Sequence, residues 1–224
     1  MQIVIAGSGK LAAELLASLG AECGHTVVPW AGGSGHVGKG VVVHAGSGRE
    51  LDAIATHCKT TQSVLVELST GSAIESSPMG FPVVLCPNTN ILMLKFMCML
   101  EQSGHLFRGY PMRLTESHQV SKTSVPGTAV NLADSLGISR DAILSVRDAQ
   151  TQLDELHIPR AELDRHAFHQ IRIQDSGCSL QLEARVQGEA PYARGVARIV
   201  DAVCTQPLEN RAYSVLEFVR NGWV

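Results

Sequence analysis

No CxxC pair, no cluster of basic residues and no apolar run of membrane-spanning length occurs in this 224-residue chain. Each absence removes a class of protein. The six cysteines (Cys23, Cys58, Cys86, Cys98, Cys178 and Cys204) are scattered, which argues against a zinc site and against a disulfide framework in a chain this long. Buried, reduced thiols in a cytoplasmic protein are the expectation. A formal net charge of -3 without a basic patch leaves no electrostatic footprint for nucleic acid. The opening MQIVIAGSGK ends its apolar run at Gly7 and has no basic start, unlike a signal peptide. ILMLKFMCML, the longest later candidate, is interrupted by Lys95 and is far shorter than the roughly 20 residues a membrane helix needs. The expectation is a soluble protein that binds neither nucleic acid nor membrane.

What is present is a chain able to build a core. Apolar residues make up 45% and charged residues 17%, a balance that excludes disorder. The length suits one large domain or two small ones. QIVIA (Gln2 to Ala6) reads as a buried strand ending on glycine, followed by a helix over GSGKLAAELLASLG that Gly20 is placed to stop. HTVVPW and GKGVVVHAG read as strands, ELDAIATHC as a helix, and SVLVELSTG and FPVVLCPN as two further strands. Such alternation predicts an α/β fold with a parallel, doubly wound sheet of Rossmann type. After Asn88 the pattern changes. ILMLKFMCMLEQSG is a long helix whose Met93, Met97 and Met99 are expected in the core. YPMRLTESH then reads as a strand, PGTAVNLADSLG as a helix, AFHQIRIQDSGCSLQLEARVQ as a hairpin turning at DSG, and YARGVARIVDAVCTQ as an amphipathic helix. The second half is an α+β unit with a mixed or antiparallel sheet.

AGSGKLA sets Gly7-x-Gly9-x-x-Ala12 between a strand and a helix, the context that makes a glycine pattern a dinucleotide loop. Gly7 permits the tight turn, Gly9 lets backbone approach a pyrophosphate, and the helix N-terminus favours its charge. Gly7, Ser8, Gly9, Lys10 and Leu11 are the candidate cofactor contacts. GSGHVGKG (Gly33 to Gly40) imitates a P-loop, but Gly40 stands where a magnesium-binding Ser or Thr is required, and a strand follows it. An ATPase reading is rejected. No acidic residue lies between Glu22 and Glu50, so none ends the second strand to bind a ribose 2'-hydroxyl. Lys39, with His36, is the nearest cation, and together these features favour NADPH over NADH.

TESHQVSKTSVPGTA (Thr115 to Ala129) brings three chemical features into one segment. His118 can donate a proton near neutral pH. Lys122 can neutralise a developing anion, and the helix start at Pro126-Gly127-Thr128 offers backbone N–H groups and a hydroxyl to a carboxylate. The same residues would also serve a polar strand end running into a capped helix.

The pattern resembles the dihydrodipicolinate reductase (4-hydroxy-tetrahydrodipicolinate reductase) family of lysine and diaminopimelate biosynthesis, whose signature runs E-x-H-H-x-x-K-x-D-x-P-S-G-T-A. Glu116 to Lys122 matches its first part and Pro126 to Ala129 its second. VELSTG resembles the family's G-T-T-G strand end, CPNTN its A-P-N-x-S segment, and APYARGVARIV its C-terminal helix. Gln119 replaces the second histidine, Ser124 the aspartate, and the serine before Gly-Thr is missing. The resemblance implies an NAD(P)H-dependent oxidoreductase acting on a conjugated C=C–C=N of a cyclic, carboxylated small molecule. It implies His118 and Lys122 as catalytic residues, and Gln119, Gly127 and Thr128 as substrate contacts. Ser69, Thr70, Cys86, Pro87 and Asn88 would lie near the nicotinamide. It further implies a nucleotide domain over residues 1–88 and 189–224, a substrate domain over residues 89–188, and a homo-oligomer, tetramer or dimer. A paralogue acting on another cyclic imine, and a sensor that has lost catalysis, stay open beside it.

Overall fold

Five of the β-branched runs form a parallel sheet, and a sixth strand from the end of the chain completes it. The computed structural model describes residues 1–32, 38–76, 80–123, 126–188 and 190–224. Two units divide the chain: Met1–Leu94 with Tyr192–Val224, and Lys95–Pro191. In the first unit the elements are β1 (Gln2–Ala6), α1 (Lys10–Cys23), β2 (Thr26–Pro29), β3 (Val41–His44), α2 (Leu51–Thr61), β4 (Val64–Glu67) and β5 (Val83–Leu85), then α6 (Ala193–Thr205), β10 (Ala212–Ser214) and α7 (Val215–Arg220). The sheet order is β10-β5-β4-β3-β1-β2, and every pairing is parallel. β3 and β4 are buried along their whole length, which is why VVV and VLV show no polar alternation.

α1 runs past Gly20 and ends at Gly24, whose φ of 67° suits the left-handed cap and whose N–H donates to the Gly20 carbonyl. The expected stop at Gly20 is therefore corrected by one turn. Gly20 stays helical and lies against Val27. α6 returns from far along the chain onto α1, and the buried Glu14 of α1 accepts from the N–H groups of Tyr192 (2.9 Å) and Ala193 (3.0 Å). A carboxylate thus caps the positive end of α6. Gly195 lets that helix press on the Thr89 carbonyl, where a Cβ has no room.

The second unit holds most of α3 (Ile91–Ser103), then β6 (Met112–His118), α4 (Gly127–Leu136), β7 (Leu144–Val146), α5 (Ala149–Asp154), β8 (Ala167–Gln174) and β9 (Ser179–Val186). Its sheet runs β7-β6-β8-β9, parallel between β7 and β6 and antiparallel elsewhere. Met93 and Met97 are buried in α3, but Met99 is 46% exposed, because it falls on the outer side of the turn. The expectation of a wholly buried methionine set is corrected there. So is that of buried thiols: all six are free, but Cys178 lies exposed in the β8–β9 turn and Cys23 and Cys204 are only partly covered.

Candidate functional site

Parallel strands deliver their following loops to one edge, and in the first unit that edge carries the glycine loop. Gly7 has φ 137°, and a side chain there would collide with the Ala45 carbonyl, so close approach of two loops demands glycine. Gly9 precedes α1 with extended backbone, no side-chain cap and open space around its Cα. An uncapped helix N-terminus with room before it is what a pyrophosphate requires. Ser8 and Lys10 are exposed and Leu11 is half-buried. Beside them a cleft of about 370 Å³ is lined by Gly46 to Gly48, Leu51 and Ser69 to Ala73.

Ser69 shapes that cleft: its N–H donates to Glu67 Oε1 (2.8 Å) and its hydroxyl to the Gly46 carbonyl (2.7 Å). Thr70 and Pro87 are exposed and Asn88 is half-buried. The side chain of Asn88 accepts from the Asn90 N–H (2.8 Å), turning the chain into α3. Cys86 is 1% exposed, and burial, then the Glu67 carboxylate, push its thiol upward. Lys39 is displaced from the group. It precedes Gly40, whose carbonyl accepts from Val64 and whose N–H donates to Ser63 at the start of β4. That is the opposite edge of the sheet from Gly9, because β3 runs parallel to β1. Lys39 is therefore withdrawn as a cofactor contact. His36 and Ser124 lie outside the described residues.

In the second unit, alternation along β6 puts Glu116 and His118 on one face. Nδ1 of His118 donates to Glu116 Oε2 (2.8 Å), and Arg147 forks onto both Glu116 oxygens (2.7 and 3.2 Å). Burial alone would raise the Glu116 carboxyl, but hydrogen bonds from His118, Arg147 and Ser145 overcome it and hold the pKa at about 2. An ionised Glu116 fixes the His118 tautomer and leaves Nε2 for a ligand. Arg147 also donates from Nε to the Lys122 carbonyl (2.9 Å), while the Lys122 N–H donates to the Gln119 carbonyl (2.9 Å). The turn after β6 is thereby tied to the carboxylate that orients the histidine. Lys122 and Gln119 are partly exposed, Gly127 is exposed, and Thr128 is 6% exposed at the start of α4, which Pro126 leaves without a side-chain cap.

His169 lies across from Glu116 in the β6–β8 register and edge-on to His118, with ring centroids 5.6 Å apart. It is 2% exposed, and neither ring nitrogen has a hydrogen-bond partner among the described residues. Burial, reinforced by His118, pushes its pKa down to about 3. On the other face Ser117 Oγ meets His166 Nε2 (3.0 Å), and buried Gln152 of α5 donates to Ser117 Oγ (3.0 Å) and the His118 carbonyl (2.8 Å). Arg147, Gln152, His166 and His169 escaped the sequence reading because they come from separate segments. Glu116 stood two residues from His118, and strand alternation was the signal that could have found it. Among the described residues no cluster of three metal-ligating side chains occurs.

No family model matches the chain. It is 32% identical over 137 residues to 4-hydroxy-tetrahydrodipicolinate reductase 2, chloroplastic, of Arabidopsis thaliana, a match covering 55% of this chain and 38% of that protein. With reductase 1 of the same plant it shares 31% over 137 residues, covering 55% and 39%. The chain is thus matched to well under half the length of these curated relatives. Among solved structures, a dipicolinate-bound dihydrodipicolinate reductase from Paenisporosarcina sp. TG-14 superposes with a TM-score of 0.67 at 15% identity, over 96% of this chain and 97% of that one. The C. glutamicum DAP dehydrogenase reaches 0.50 at 8% identity, over 97% and 93%. In sequence the chain is similar to 4-hydroxy-tetrahydrodipicolinate reductases over 55% of its length, and its fold is that of a dihydrodipicolinate reductase.

Proposed function

We propose that the chain is an NAD(P)H-dependent reductase of a cyclic, carboxylated imine or enamine, of the dihydrodipicolinate reductase type in lysine and diaminopimelate biosynthesis. The observation that carries this reading is the histidine held by an ionised carboxylate that an arginine braces, on a strand end that leads through Lys122 to an uncapped helix start. When bound, the dihydronicotinamide supplies the hydride. Gly7 to Leu11 would hold the pyrophosphate, and Ser69, Thr70 and the backbone of Cys86 to Asn88 would frame the nicotinamide end. His118 donates a proton from Nε2 while Glu116, bonded to Nδ1, keeps the ring oriented. Lys122 offsets negative charge as the substrate is reduced, Gln119 hydrogen-bonds the substrate, and Gly127 with Thr128 binds a carboxylate.

The preference for NADPH now rests on the missing acid alone, since Trp30, Ala31 and Gly32 follow β2 where a carboxylate would meet a ribose. A homo-oligomer, tetramer or dimer, belongs to the same proposal, to be read by light scattering. So does a cytoplasmic setting; no helix of the described residues is long and apolar enough to cross a membrane.

NADPH oxidation with enzymatically generated dihydrodipicolinate precursor tests the reading. Wild-type turnover is expected to fall by about 100-fold in Lys122→Ala, while NADPH affinity changes less than about threefold. Equal turnover in the two proteins would overturn the assignment of Lys122.

A further inference from the structure

Register across the parallel sheet pairs Ala6 with His44, His44 with Glu67, and Glu67 with Leu85. His44 and Glu67 therefore end neighbouring strands in one row, close enough for their side chains to meet. Both are fully buried, at 0% exposure. His44 Nδ1 lies 2.8 and 2.9 Å from the two Glu67 oxygens, and His44 Nε2 has no hydrogen-bond partner among the described residues. Two apolar side chains would fill the space without burying a carboxyl or orphaning a ring nitrogen, so stability alone gives no reason for the pair.

What the pair reaches is the cleft wall on both sides. Glu67 holds the Ser69 N–H, Ser69 holds the Gly46 carbonyl, and the Leu68 N–H donates to the His44 carbonyl (2.9 Å). The imidazole also supports the other wall directly, since a Cβ on Gly46 would lie 2.8 Å from His44 Nε2.

We infer that His44 and Glu67 are positioning residues of the nucleotide cleft, a buried strut that sets the spacing of its 46–48 and 69–73 walls for the cofactor. The inference rests on the pyridine-nucleotide reading above. Both side chains act through the backbone of Gly46 and Ser69. His44 has a second part: without it the buried Glu67 carboxyl would keep the Ser69 N–H but lose its side-chain partner.

NADPH fluorescence titration, thermal melting and steady-state kinetics on three variants separate positioning from folding. His44→Leu is expected to melt earlier than wild type and to bind NADPH at least about tenfold more weakly. The double variant His44→Leu/Glu67→Leu is expected to regain the wild-type melting temperature, yet to keep an NADPH affinity lowered by about tenfold. Its kcat at saturating NADPH is expected within about threefold of wild type, so that the KM for NADPH carries the loss. Glu67→Gln keeps one oxygen to accept from the Ser69 N–H and from His44 Nδ1 while an NH2 group replaces the other, and it is expected to fold and to bind within about threefold of wild type. A double variant that melts and binds like wild type overturns the inference and leaves the cofactor reading standing, as does a folded Glu67→Gln that loses tenfold or more. Wild-type protein that binds neither NADPH nor NADH overturns the reading itself.

Discussion

His169 and Glu116 face each other across two strands, and protons act on them in different pH windows. His169 has a folded pKa near 3 against an ordinary 6.5, so the unfolded chain binds its proton first. The stability this gives is fully present above pH 6.5 and drains away as the pH falls towards 3. Glu116, near 2 against 4.5, contributes stability above pH 4.5 that is lost towards pH 2. The two losses therefore begin about two pH units apart, with His169 first. His169→Phe keeps a ring and removes both unpartnered nitrogens. Thermal melts from pH 8 to pH 5 are expected to show wild type losing about 2 kcal/mol by pH 5 from this group, a loss absent in the variant. Parallel melting curves for the two proteins would show that His169 does not govern that window.

At the scale of elements, one turn separates two glycines with opposite demands. Gly24 is the left-handed cap of α1, and Gly20 sits inside the helix, where an added methyl would meet its neighbours at ordinary contact distances. Gly24→Ala is expected to cost about 1 kcal/mol, and Gly20→Ala to gain about 0.5–1 kcal/mol from the stiffer chain. Chemical denaturation of both variants checks the signs, and a destabilised Gly20→Ala would mean that the α1–β2 packing is tighter than the distances show. Both glycines lie in GAECG, and spacing alone could not choose between them. The choice comes from Leu19, which is fully buried and needs the helix continuous through it and on to Cys23. β7, α5, β10 and α7 were illegible for a related reason: each is six residues or fewer, too short to show a period.

At the scale of the whole molecule, the first unit is assembled from both ends of the chain. α6 closes it against α1 through Glu14 and against the turn before α3 through Gly195. Gly195→Ala forces a methyl onto the Thr89 carbonyl, and overpacking there is expected to cost about 1–3 kcal/mol. Thr89 follows Asn88, so weaker NADPH binding should accompany the lower melting temperature; a variant as stable as wild type would show that α6 can shift without loss.

The sequence by itself determined the doubly wound sheet, the glycine loop and the segment from Glu116 to Thr128. Each of these is local: a buried parallel strand needs a continuous apolar run, a tight turn needs glycine, and a signature needs only spacing. The tertiary structure decided which charges stand together. It carried Lys39 to the far edge of the sheet, set Arg147 on Glu116 and His169 behind His118, and joined His44 to Glu67. Those relations depend on strand register and on which strands become neighbours, and neither is written in the spacing of residues along one chain.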